Sequence, residues 1–284
     1  MAEHPLREHA AARVRERVQV RVFACGPVED AALQSVLPVL KGMLADVSPA
    51  VVEQLGRTGF SAVVIASGLK VTDAPPFQYL RGTSIDTNIG ICSSDMEPPT
   101  IAMLEQHLPS MLVHEAAHMV MNLGLGRRDI RGCPTRIAID DAHRRALWER
   151  RYEIEPLAYI LENPKEFFAC TSQAWFNVGQ HHQNSGVTTR SAIKVHDPRA
   201  AAVLARIWGD GAWRPEGAQR EHGQLPELVA RRALPALENG VCAVMVHIKI
   251  ALCVGVALAI AHSSSARVRR MRRQVAFKVF MMED

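Results

Sequence analysis

The chain has 284 residues, of which 48% are hydrophobic and 22% charged, enough for one substantial core and too apolar for wholesale disorder. The formal net charge of +4 traces to five arginines between Arg267 and Arg273, so the body of the chain offers no basic surface suited to nucleic acid. Six cysteines without CxxC spacing and a charged opening, MAEHPLREHAAARVRERVQV, give neither a disulfide framework nor an apolar signal region; the expectation is reduced thiols and a cytoplasmic setting.

In chain order, residues 1–16 read as a polar leader, after which Val18–Phe23 reads as a short strand ending at Cys25-Gly26-Pro27. A helix is expected over Ala31–Ala45. Ser61–Ser67 (SAVVIAS) has the continuous apolar run of a buried strand. After a loop with paired prolines, Thr83–Ser94 alternates well enough to predict a third strand, with Ile85, Ile89 and Ile91 among its apolar positions. A long helix then starts near Thr100, or restarts after Pro109, and runs to about Gly124.

Further helices are predicted over Asp141–Ile154 and Lys165–Phe176, followed by a loop, HHQNSGVTTR. Asp197 then caps a last helix with Pro198 in its first turn and Gly209 after its end. Strands and a helix come first and helices alone afterwards, which suits an α+β domain of two lobes meeting at a cleft. The expected organisation is a domain over 17–215, a linker over 216–240, an apolar helix over 241–261 and a basic tail over 262–284.

The chemistry concentrates in LPSMLVHEAAHMVMNLGLG, Leu108–Gly126. Residues four apart share one face of a helix, so His114 and His118 can offer two imidazole nitrogens to one cation. Glu115 stands beside them, where a carboxylate can take a proton from water acidified by zinc. The flanking Met111-Leu112-Val113 and Met119-Val120-Met121 imply a buried helix, in which unpartnered charges are costly and a metal would offset that cost.

A hydrolytic zinc site needs a third protein ligand and an open position. Glu166, in ENPKEFFACTSQAWF, is the better candidate; Asp140 and Asp141 are alternatives, and His143 becomes one only if Glu166 is not a ligand. Glu166 also completes a capping box with Asn163 and Pro164, a purely structural role that stands beside the first. Cys170 reads as a small buried residue or as a thiol approaching the metal. His181 and His182 are expected to be solvated.

HEAAH, followed by Tyr159 and, seven residues later, Glu166-Phe-Phe-Ala, resembles the catalytic domain of anthrax lethal factor and related zincin metallopeptidases. The likeness extends to zincin-like proteins of fungi, algae and bacteria and covers roughly Tyr79–Pro215. It implies a zincin-like fold, a zinc ion held by His114, His118 and Glu166, Glu115 as general base, and Tyr159 as oxyanion donor. The substrate would be a protein or peptide, held along an edge strand near Ile85–Cys92. At Cys170 lethal factor-like proteins often carry an acid, so any role of that acid is in doubt here. The alternative from another class is a catalytically inert zincin-like binding module, tethered by its tail.

Val241–Ala261 is long enough to span a bilayer, but it holds His247 and Lys249 near its middle, where charge is expensive. A membrane anchor and a buried helix both remain open for it.

Overall fold

The computed structural model describes residues 4–125, 133–152 and 157–220. The expected apolar helix over 241–261, the basic tail and all but the first residues of the expected linker lie outside them. Among the described residues no helix is long and apolar enough to cross a membrane.

The architecture is α+β: a five-stranded mixed sheet with seven α-helices and several short 3-10 turns among the described residues. The strands are β1 (Leu6–Val14), β2 (Val18–Cys25), β3 (Phe60–Ile65), β4 (Gly90–Ser93) and β5 (Thr100–Leu104), in the order β1-β2-β3-β5-β4. β2, β3 and β5 run parallel, and an antiparallel strand closes each side. The helices are α1 (Asp30–Leu44), α2 (Pro49–Gly56), α3 (Ser110–Met119), α4 (Pro134–Trp148), α5 (Pro164–Trp175), α6 (Arg190–His196) and α7 (Pro198–Trp208).

Strand alternation divides the interior in two. Phe60, Ala62 and Val64 of β3, with Ile101 and Met103 of β5, face the main core and its helices. Val63, Ile65, Ala102 and Leu104 face the other way, onto Val71, Ala74 and Phe77 of the irregular segment between β3 and β4. Because both faces are covered, β3 is apolar at nearly every position, as a central parallel strand must be.

Several expectations change. Leu6–Val14 belongs to the sheet rather than to a polar leader: Glu8, beside Phe23 in the register, binds Arg21 at 2.8 Å. The predicted third strand keeps only its second half, β4. Over Ser84–Thr87 the chain turns, because Thr83 accepts a hydrogen bond from Ile85 N and Asp86 accepts one from Gly82 N. Thr100–Leu104, expected at the head of a helix, is β5, paired with β3 from Ser61↔Thr100 onward. Leu108, which precedes Pro109, is held extended, and α3 starts only at Ser110. The helix predicted over Asp141–Ile154 begins earlier, at Pro134, and ends at Trp148, with Arg150 in the left-handed region at φ 48°.

Past Pro215 the chain stays bound to the domain. Gln219 N donates to Asn177 O at 2.7 Å, Gln219 Nε2 donates to Gly179 O at 2.8 Å, and Thr188 Oγ1 donates to Gln219 Oε1 at 2.6 Å. The folded unit is therefore wider than 17–215 at both ends.

Candidate metal centre

α3 lies between the sheet and α5, and every residue from Met111 to Met119 is buried. A polar group there must face a partner. The helix continues through a wider π-type turn, Val120–Gly124, where Gly124 meets α2: a Cβ on it would come within 2.6 Å of Val51 Cγ1.

α5 brings the third side chain. Pro164 opens it, and the Asn163 side chain accepts hydrogen bonds from Lys165 N at 2.9 Å and Glu166 N at 3.1 Å. Asn163 thus caps the helix, and the Glu166 carboxylate is turned to the histidines. Glu166 Oε2 lies 3.1 Å from His114 Nε2 and 3.4 Å from His118 Nε2, and the two Nε2 atoms are 3.1 Å apart. Among the described residues, His114, His118 and Glu166 form a group able to hold a metal ion.

The donor set fits zinc. Four ligands at the usual zinc distances of about 2.0–2.2 Å, set tetrahedrally, stand about 3.3–3.6 Å from one another. The three donor–donor distances here, 3.1, 3.1 and 3.4 Å, fall within a few tenths of that edge. Two imidazoles and one carboxylate suit zinc and its transition-metal neighbours better than magnesium or calcium, which prefer oxygen alone.

Electrostatics follow from the crowding. Burial pushes the Glu166 carboxyl up, but hydrogen bonds from His114 and His118 outweigh it and hold it well below the usual carboxylate range. Burial pulls the His114 imidazole down, yet hydrogen bonds to Cys170 and Glu166 leave it raised. Burial raises the Glu115 carboxyl, against the pull of the two imidazoles.

Glu115 points toward β4. A Cβ on Gly90 would come within 2.5 Å of Glu115 Oε1 and 3.0 Å of Met111 Cε, so only glycine leaves room for this carboxylate. Tyr159 sits at the rim, 39% exposed, its ring 6.1 Å from that of His114, and burial together with the Glu166 carboxylate raises its hydroxyl well above the ordinary range. Its turn is pinned by Ile160 N donating to Gln183 O at 3.1 Å and by His143 Nε2 bonding Leu161 O at 2.9 Å.

All five residues singled out in the sequence therefore meet in one place. The alternatives do not join them: His143 is a buried brace between α4 and the Tyr159 turn, and Asp141 pairs with Arg144 on the surface. Cys170 is buried behind His114 and outside the donor group, and the four cysteines among the described residues are free. His181 and His182 are exposed, although much of the loop that carries them is buried.

Three contributors were not foreseen: Gly90, Ser110 and Gln173. His114 Nδ1 lies 3.2 Å from Gln173 Oε1, and Gln173 Nε2 reaches Ser110 O at 3.2 Å and Ser110 Oγ at 2.8 Å. A signal existed for Gln173, which falls seven residues after Glu166 on the same helix face, polar among aromatic and small neighbours. In comparisons with known proteins, no family model and no curated protein sequence matches this chain.

Proposed function

We propose that the chain is a zinc-dependent, zincin-like peptidase acting on proteins or peptides, with His114, His118 and Glu166 as metal ligands and Glu115 as general base. One observation carries this reading: donors from two helices, 52 residues apart in sequence, converge with the edges of a tetrahedral site, beside a buried glutamate. When bound, zinc supplies Lewis-acid charge that acidifies water and polarises a carbonyl.

Glu115 takes a proton from the attacking water and returns it to the departing amine. Burial keeps its carboxyl raised, toward the range where a base works near neutral pH. Tyr159, at the rim, donates its hydroxyl to the developing oxyanion. β4, the last strand of the sheet on this side, offers backbone N–H and C=O groups to an extended peptide.

Glu115→Gln tests the reading. It should lower cleavage of an accepted peptide by roughly 100- to 10,000-fold while zinc content stays the same. Undiminished cleavage would refute the assignment.

A further inference from the structure

Gln173 is fully buried, and its amide joins the backbone of α3 to the ring of His114. Its orientation is forced. Ser110 O can only accept a hydrogen bond, so the amide face 3.2 Å from it must be the NH2. A flipped amide would set oxygen against oxygen there. The hydroxyl of Ser110 is oriented in the same manner, since it donates to Val178 O at 2.8 Å. Its oxygen therefore accepts, from Gln173 Nε2 at 2.8 Å and from Gln180 Nε2 at 3.2 Å.

With its NH2 committed, Gln173 presents only a carbonyl oxygen to His114 Nδ1, 3.2 Å away. That oxygen accepts, so Nδ1 must carry the proton. In the neutral ring that binds a cation, the lone pair is then on Nε2, the atom facing Glu166 and His118. We infer that Gln173 is a positioning residue that sets the tautomer and ring orientation of His114 through a hydrogen-bond chain anchored on the carbonyls of Ser110 and Val178. Two backbone carbonyls, which cannot change polarity, thus dictate which imidazole nitrogen is free to bind a cation. The inference rests on the reading of His114 as a metal ligand.

Cys170, buried three residues before Gln173 on α5, is the rival for this role. A thiol is a weak partner beside an amide carbonyl and can serve as donor or acceptor, so it imposes no tautomer.

The test uses the full-length chain loaded with zinc and labelled with 15N-histidine, the His114 signal being assigned from a His114→Gln variant. Two-bond correlations should place the ring proton of His114 on Nδ1, with slow solvent exchange. Gln173→Met should speed that exchange and raise the zinc dissociation constant by about 10- to 100-fold. Cys170→Ala should change neither quantity.

A wild-type proton on Nε2 would overturn the inference. So would a Gln173→Met variant matching wild type in exchange and affinity, or a Cys170→Ala variant reproducing its losses. If Gln173→Met fails to fold, Ser110→Ala, which removes one anchor of the Gln173 amide, should speed exchange of the His114 ring proton, and exchange at the wild-type rate would overturn the inference. Zinc titration of the wild type separates the two levels: no binding defeats the metal reading, whereas binding indifferent to Gln173 defeats only this inference.

Discussion

His114 Nε2 and Glu166 Oε2 stand 3.1 Å apart, joining α3 to α5 across 52 residues of chain. With the ring proton on Nδ1 both atoms bear lone pairs, so the contact requires a second proton or a cation between them. Removing the carboxylate should disable the site as a metal chelator. Glu166→Ala is expected to weaken zinc binding by more than the roughly 10–100-fold typical of an outer-sphere partner, measured by competition with a chromogenic chelator. Zinc affinity at the wild-type level would rule Glu166 out as a ligand.

Gly90 offers a separation of chemistry from metal binding. A methyl group there would approach Glu115 Oε1 to 2.5 Å, while the atoms able to hold a metal are those of His114, His118 and Glu166. Gly90→Ala should therefore reduce kcat by at least about tenfold, the loss expected when a proton-transfer group is displaced, and leave zinc affinity within about threefold of wild type. Equal losses in both would show that Gly90 supports the fold rather than Glu115.

Asp197 gives a pH-dependent prediction away from the site. Its Oδ1 accepts from Ala200 N at 3.0 Å, capping α7, while burial raises its carboxyl above the ordinary 3.8. A raised carboxyl favours the protonated folded state, so its contribution to stability is full below 3.8 and is lost as pH rises through the folded value. Asp197→Asn keeps the capping oxygen without the buried charge. Urea unfolding should show this variant gaining on wild type as pH rises above 3.8, and Asp197→Ala losing about 1 kcal/mol through the missing cap. A gap between Asn and wild type that does not move with pH would contradict the argument.

Cys25 should be chemically quiet. Burial, assisted by Asp73, pushes its thiol up to about 11, which leaves little thiolate at pH 8. Iodoacetamide should modify it far more slowly in the native chain than in urea. Equal rates would show that this end of β2 opens readily.

The parts legible in the sequence were those whose pattern has one structural solution. Ser61–Ser67 is apolar at successive positions because β3 is covered on both faces, and Asp197-Pro198 marks a helix start by capping chemistry alone. His114, His118 and Glu166 could be grouped in advance because their residue types suit a metal site, and the structure brings them together with Glu115 beside them. Edge strands were less so: EHAAAR in β1 alternates weakly and contains good helix formers, and its pairing with β2 comes from the partner strand. TIAML could head the following helix until the extended Leu108 before Pro109 is considered. Gly90 and Gln173 depend on close approaches between segments distant in sequence, which no local pattern records.

The most direct measurement is metal content joined to X-ray absorption on the chain purified without chelator. The account predicts one zinc per chain, bound by two imidazole nitrogens and a carboxylate oxygen, with the histidine signal lost in His114→Ala and His118→Ala. A chain that takes up no zinc, or that holds it undiminished without those two histidines, would contradict it.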